Sequence, residues 1–103
     1  MTDYSIAQEL KSQLSKIVGI RDFRIIGSRA RGDHEEYSDL DIYIVLDTIN
    51  PDIRKKISKI VWEIGYENYI VITPLLYTIN ELQNTPVRSS PIIKNILAEG
   101  IPL

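Results

Sequence analysis

Two acidic residues, Asp39 and Asp41, lie two positions apart in a stretch of alternating polar and apolar side chains. In a β-strand, residues i and i+2 point to the same side, with their Cα atoms about 6.6–6.8 Å apart. Two carboxylates placed in this way can converge on one hard cation, or bridge two cations about 3.5–4 Å apart. No basic residue adjoins them, and a metal ion between them would offset their repulsion. An exposed strand protected from aggregation by its acids is the simpler explanation of any isolated Asp-x-Asp.

A second group of polar residues precedes this pair. Gly27 follows a short predicted strand, and a glycine at the end of a strand lets a phosphate approach the backbone closely. Ser28 offers a hydroxyl group, and the turn that follows offers free N–H groups. Arg29 and Arg31 add cationic donors, and Ser38 completes the set of residues that we predict to bind phosphate. For an isolated Gly-Ser, a serine that caps a turn is the simpler interpretation.

The elements that position these residues follow from the spacing of the apolar side chains, which is helical in some segments and alternating in others. The predicted elements are a helix at 4–18, a strand at 21–26, a polar segment at 28–38, a strand at 39–46, a helix at 51–64, a strand at 69–75, a helical turn after Thr78 and a helix at 91–99. This order predicts an α/β (α+β) fold, with a small mixed sheet and helices packed on one face. Residues 1–103 form one domain, because no second core fits in a chain of this length.

Local signals fix the details of these elements. In the strand at 39–46 the even-numbered positions are all aliphatic, so the two aspartates must lie on the face away from that core. Asn50 and Pro51 are typical of a helix start, and Gly65 of a helix end. Pro74 favours an edge position or the end of its strand.

Composition narrows the function classes. The chain has 44% hydrophobic and 25% charged residues, which is ordinary for a soluble globular protein. A net charge of −2 gives no general attraction to nucleic acid, and direct nucleic-acid binding is not expected. The chain contains no cysteine, which excludes disulfides and thiolate zinc sites. We find neither a signal peptide nor an apolar run long enough for a membrane span, and predict a cytoplasmic protein.

The sequence from Gly27 to Asp41 resembles the signature of the minimal nucleotidyltransferases of the DNA polymerase β superfamily, which is Gly-Ser, ten residues, then Asp-x-Asp. The run GSRARGDHEEYSDLDIYIV is also similar to the antitoxin-type members of that family. The resemblance implies that Asp39 and Asp41 hold one or two Mg²⁺ ions against an NTP, with ATP expected, while Gly27 and Ser28 bind its β and γ phosphates. It also implies transfer of a nucleoside monophosphate to a hydroxyl group, with a HEPN-type toxin as the expected protein partner.

The sequence departs from the family pattern in one respect. Active members usually carry a third acidic residue on the next strand, whereas residues 69–73 contain none. Glu67 is in phase with that strand and is the candidate substitute. Without a third acid, two alternatives to independent catalysis remain open. The chain is either a binding module that acts through its partner, or an enzyme whose site a partner chain completes.

Two aromatic residues and the single histidine complete the prediction. Trp62 falls opposite the apolar stripe of its helix, so either the C-terminal segment covers it, which we favour, or it anchors another chain in a homo-oligomer or a complex. Tyr43 shares the face of the aspartates, where covering the sheet is a simpler role than stacking on a nucleobase. His34 is interpreted as a solvated loop residue.

Overall fold

The computed structural model describes residues 2–103 and contains a four-stranded mixed sheet with helices on both faces. The helices and strands are α1 (Asp3–Leu14), β1 (Ile20–Ile26), α2 (Gly27–Arg31), β2 (Leu40–Leu46), α3 (Pro51–Glu67), β3 (Ile72–Thr78), α4 (Ile79–Asn84), a 3-10 helix (Pro86–Ser89), α5 (Pro91–Glu99) and β4 (Ile101–Pro102). The strand order is β3-β2-β1-β4, where β2 is parallel to β3 and the other two pairings are antiparallel. The predicted α/β class with a mixed sheet is confirmed.

The main core lies between one face of the sheet and the helices α1 and α3. The aliphatic positions of β2 are completely buried there, as the alternation predicts. The buried side chains of this core include Leu10 and Leu14 of α1, Phe23 and Ile25 of β1, Leu40, Ile42, Ile44 and Leu46 of β2, and Ile57 and Ile64 of α3. Burying each such side chain contributes about 1.5–3 kcal/mol to folding. This face therefore fixes which way β2 turns its other side chains.

A second, smaller core covers part of the opposite face, which corrects the prediction that the helices pack on one face only. Tyr43 and Val45 are buried there against Ile93 and Ile96 of α5, and the ring of Tyr43 lies 5.8 Å from that of Tyr77. These residues must be buried because both the sheet face and the stripe on α5 are apolar. Tyr43 thus covers the sheet. Only the end of this face that carries the aspartates stays uncovered by this core.

The end of α3 differs from the prediction that Gly65 closes it. The helix continues to Glu67, and the residue with a left-handed backbone is Tyr69, at φ 56°. The N–H of Ile70 donates to the carbonyl of Gly65 at 3.0 Å, and that of Tyr69 to the carbonyl of Tyr66 at 3.4 Å. These two bonds form a Schellman motif. Gly65 is required within the helix because a Cβ there would lie 2.6 Å from the carbonyl oxygen of Ile70.

This turn also shifts the next strand. β3 spans Ile72–Thr78 rather than 69–75, and it lies at the edge of the sheet, which confirms the edge position predicted from Pro74. The N–H of Leu40 donates to the carbonyl of Val71 at 2.8 Å. In this register the backbone nitrogen of Pro74 faces the open edge of the sheet. Its missing N–H therefore costs no hydrogen bond between β2 and β3.

Two smaller differences concern the chain's beginning and end. Helix α1 ends at Leu14, and residues 15–18 form a turn in which the N–H groups of Ile17 and Val18 both donate to the carbonyl of Leu14. The turn still directs these two side chains toward the core, so their spacing resembles that of a helix and the predicted helix ran on to residue 18. Strand β4 has two residues, too few for a periodic signal. Within residues 2–103, no helix has the length and apolarity that a membrane crossing requires.

We expect Gly65→Ala to destabilise the protein, although Gly-to-Ala within a helix normally stabilises by about 1 kcal/mol. The new Cβ would collide with the carbonyl of Ile70 and disrupt the turn, so a loss of about 2 kcal/mol or more is expected in urea unfolding. Ser58→Ala, at an exposed position of the same helix, is the control and should be neutral or slightly stabilising. Equal effects of both substitutions would contradict this account of the turn.

Candidate functional site

The two aspartates lie together at the uncovered end of the sheet. Asp41 belongs to β2, where its neighbours across the sheet are Ile26 on one side and Thr73 on the other. Asp39 is exposed and directly precedes this strand. The hydroxyl group of Thr73 donates to Asp39 Oδ2 at 3.4 Å. Thr73 therefore occupies the position on the adjacent strand that faces both carboxylates.

The turn between β1 and α2 brings Gly27 directly against Asp41. Gly27 has φ +73°, a left-handed conformation that disfavours side chains. A Cβ added at this position would lie 2.6 Å from Asp41 Oδ2. Both backbone conformation and space therefore demand a glycine. The contact joins the Gly-Ser and Asp-x-Asp sequences, which are separated by ten residues, into one site.

Ser28 lies in the first turn of α2 with its hydroxyl group free of hydrogen bonds to the rest of residues 2–103. The N-cap of α2 is Ile26, which supplies no side-chain bond, so Ser28 is not the capping serine of the simpler interpretation. Its carbonyl accepts the N–H groups of Gly32 and Asp33, which closes the short helix. The hydroxyl group and the first N–H groups of this helix remain available to an anion.

The two arginines of α2 differ in their surroundings. The Arg29 side chain is only 8% exposed, and Nη1 donates to both carboxylate oxygens of Asp3 at 2.9 and 3.1 Å. Its other nitrogens donate to backbone carbonyls, so the phosphate contact predicted for Arg29 would require these bonds to break. Arg31 is about half exposed and pairs with Asp33 at 3.2 Å and Glu99 at 3.9 Å. Such exposed pairs are weak, which leaves Arg31 able to reach a phosphate.

Ser38 has a structural partner as well. Its hydroxyl group accepts the N–H of Glu35 at 2.9 Å, and its own N–H donates to the carbonyl of Glu35 at 3.1 Å. These reciprocal bonds close a turn in the loop before β2. For the predicted phosphate contact, the Ser38 hydroxyl group would have to accept the Glu35 N–H and donate to the phosphate at the same time.

The electrostatics of the pair favour a bound cation. Burial raises the pKa of Asp41, and the negative charge of Asp39 raises it further. None of the ion pairs among residues 2–103 involves either aspartate. In the same part of the chain, no three acidic, histidine or cysteine side chains converge on a metal position. Magnesium is often held by one or two carboxylates together with substrate phosphates, so this donor set fits a cation that arrives with a polyphosphate.

Glu67 does not supply a third acid. It is the last residue of α3 and exposed, because the helix continues past Gly65 and the strand begins only at Ile72. The position facing the aspartates from β3 carries Thr73 instead. The alternation of the sequence does place Thr73 on the correct face, but the parallel register that sets it beside Asp41 is visible only in the structure.

An apolar groove of about 660 Å³ runs along the open edge of β3 and the end of α3. Trp62 is 66% exposed and stacks on Tyr66, with ring centroids 5.2 Å apart, so the C-terminal segment does not cover it, contrary to the prediction we favoured. Tyr69 and Val71 are exposed beside them. We refer to these four residues as the aromatic strip. It leads toward the site, because the register that pairs Leu40 with Ile72 sets Val71 opposite Asp39.

Comparison with known proteins identifies relatives of this chain. A family model described as "Nucleotidyltransferase domain" matches residues 6–102. The chain is similar to "Putative protein adenylyltransferase MJ0141" of Methanocaldococcus jannaschii, with 36% identity over 76 residues that cover 70% of this chain and 76% of the relative. Its fold is similar to that of a toxin-antitoxin crystallised with AMP-PNP, at a TM-score of 0.61 and 16% identity, over 99% of this chain and 72% of the other. A mutant of the toxin-antitoxin MntA-HpeT gives a TM-score of 0.61 at 14% identity, over the same shares.

We expect Asp41→Asn to stabilise the fold at neutral pH. The raised pKa means that the folded protein disfavours the ionised Asp41, so stability is highest below the unfolded value of about 3.9 and is lost as pH rises through the higher folded value. The variant lacks this loss. Its melting temperature should therefore equal that of the wild type under strongly acidic conditions and exceed it at pH 7. A lower melting temperature of the variant at pH 7 would contradict the assignment.

Proposed function

We propose that this chain, which belongs to the nucleotidyltransferase domain family, transfers AMP from Mg-ATP to a hydroxyl group of a partner protein. The observation that carries the proposal is the contact of Gly27 with Asp41, which sets the Gly-Ser turn directly against one of the two carboxylates. The name of the archaeal relative, a protein adenylyltransferase, supports both the adenylyl group and the protein acceptor.

In the proposed mechanism, the chain's residues bind and orient the triphosphate. Asp39 and Asp41 would hold one or two Mg²⁺ ions, which neutralise the phosphate charge when bound. The Ser28 hydroxyl group and the first N–H groups of α2 bind the β and γ phosphates, and Arg31 can join them. The acceptor oxygen forms a bond to the α-phosphorus, the bond to pyrophosphate breaks, and the hydroxyl proton passes to solvent. Positioning and electrostatic stabilisation supply most of the rate enhancement in such transfers.

A second candidate function is nucleotide binding without independent catalysis. The observation that favours it is Thr73, which takes the position where an acid could accept the acceptor's proton. In this case the chain binds Mg-ATP and acts by holding a partner, or the partner supplies the missing acid. Pyrophosphate release from ATP, measured with and without the partner, distinguishes these cases.

We further propose that the aromatic strip is the surface that binds this partner, a helical protein of the HEPN type. Large aromatic side chains exposed together are typical of interaction sites. Trp62 and Tyr66 lie four positions apart on one helix face, a spacing that packs well against another helix. Strand addition at the adjacent edge is disfavoured by Pro74, which removes an outward N–H donor. The toxin-antitoxin complexes of the same fold support a protein partner.

We expect Asp39→Asn and Asp41→Asn to weaken Mg-ATP binding at least about tenfold in calorimetry, because phosphate bound through the metal loses its anchor. Ser28→Ala should weaken it by a smaller factor without loss of stability, since the Ser28 hydroxyl group makes no hydrogen bond to the rest of residues 2–103. The Asp41→Asn variant is informative because it should be more stable than the wild type, so its weaker binding cannot reflect misfolding. Unchanged affinity in both aspartate variants would exclude the metal site.

We expect Trp62→Ala to weaken the complex with the partner by about thirtyfold, equivalent to 2 kcal/mol, and to leave Mg-ATP affinity unchanged. Ile92→Ala, at an exposed apolar position on α5, is the matched control. Sedimentation with and without a candidate HEPN-type protein measures the effect. Self-association that depends on Trp62 would assign the aromatic strip to a homo-oligomer instead. If the protein is a monomer and binds each candidate equally well with and without Trp62, the aromatic strip is neither a partner interface nor a homo-oligomer interface.

A further inference from the structure

We propose that Arg29 is a positioning residue that holds Asp39 in place for the metal, with Asp3 as its counter-charge. The role differs from the phosphate contact that the sequence suggests for Arg29. It rests on the proposed function, because it assigns Asp39 to a metal site. The hydrogen bonds of the guanidinium and the backbone bonds on either side of Asp39 carry the inference.

The guanidinium of Arg29 has a partner on each of its three nitrogens. Nε and Nη2 donate to the carbonyl of Ser38 at 3.0 and 2.7 Å, and Nη2 also reaches the carbonyl of Glu36 at 3.3 Å. Nη1 donates to both oxygens of Asp3 at 2.9 and 3.1 Å. Three segments therefore meet at one side chain: the first turn of α1, the short helix α2 and the loop that leads from α2 to β2.

Asp39 is fixed by the backbone groups on its two sides. The preceding carbonyl, that of Ser38, accepts two bonds from Arg29, while the Ser38 N–H and hydroxyl group are bonded to Glu35. The following N–H, that of Leu40, donates to the carbonyl of Val71 in the sheet at 2.8 Å. Asp39 is thus a single residue between two immobilised peptide groups. The entropy cost of holding Asp39 in one backbone conformation is therefore met by folding rather than by metal binding.

The chemistry requires arginine at this position. A planar guanidinium can bond a carbonyl with two nitrogens and a carboxylate with the third, whereas the ammonium of lysine is a point charge without this geometry. Asp3 is needed because a buried cation is costly without a partner. Asp3 balances the charge of Arg29 and occupies its Nη1, and among residues 2–103 the guanidinium forms no ion pair with Asp39 or Asp41.

The first test measures the positioning directly and needs no nucleotide. In hydrogen exchange followed by NMR, Arg29→Lys should accelerate exchange of the Ser38 and Leu40 N–H groups by about tenfold or more, while the core of β2 near Ile44 keeps its protection. Asp3→Asn should give a smaller acceleration, because the bonds to Ser38 remain. Arg21→Lys, which alters an exposed ion pair at the far end of β1, is the matched control. Unchanged protection of Ser38 and Leu40 in Arg29→Lys would overturn the proposal.

The second test connects Arg29 to Asp39 through a double-mutant cycle on Mg-ATP affinity. Arg29→Lys should weaken binding about tenfold in the wild type but less than about twofold in the Asp39→Asn background, because its effect acts through that carboxylate. A general loosening of the fold, or a direct phosphate contact, would instead lower the affinity by the same factor in both backgrounds and would overturn the proposal. If the wild type does not bind Mg-ATP at all, the proposed function fails, while the exchange experiment still decides whether Arg29 fixes the backbone around Asp39.

Discussion

The contact between Gly27 and the carboxylate of Asp41 determines the arrangement of the whole site. It requires a backbone without a side chain, in a left-handed conformation, at the point where β1 becomes α2. The antiparallel pairing of β1 with β2 sets Ile26 beside Asp41, so the turn that follows must pass over this carboxylate. The Gly-Ser turn is brought to Asp41 for the same reason. Any group larger than hydrogen at position 27 would separate the two parts of the site.

The two faces of the sheet have different roles: one stabilises the fold, and the other carries the candidate site. One face is aliphatic along the whole of β2 and forms the main core with α1 and α3. The other is apolar around Tyr43 and Val45, where α5 covers it, and polar around Asp41, where the turn at Gly27 rather than α5 lies beside it. The site therefore lies where one strand passes from a buried to an open environment. This explains why burial raises the pKa of Asp41 while its neighbour Asp39 remains exposed.

Rigidity around the aspartates comes from polar contacts, because the main core reaches only as far as Leu40. Arg29 connects Asp3 with the loop before Asp39, and a turn closed by Glu35 and Ser38 completes that loop. The segment 32–38 is exposed apart from Ser38, so these few bonds replace the packing that a core would provide. Beside the edge strand β3, by contrast, the surface is apolar, because the aromatic strip exposes large rings there. The left-handed backbone of Tyr69 leaves its ring almost fully exposed to solvent.

The sequence alone predicted the mixed α/β sheet, the buried face of β2, the edge position of β3 and the resemblance between residues 27–41 and a known family. These features depend on periodicity and on short spacings, which are local properties of the chain. It failed where the outcome depended on contacts that periodicity and spacing do not encode. The glycine at position 65 resembles a helix end, but the helix continues to Glu67, which removes Glu67 from the strand. The close approach of the Ile70 carbonyl is what requires a glycine there. Arg29 resembles a phosphate ligand, but its partners lie 26 and 9 residues away in the chain. Which polar side chains support the backbone and which stay free for a ligand is decided by tertiary structure, because a hydrogen-bond donor has the same chemistry in either role and only its neighbours in space differ.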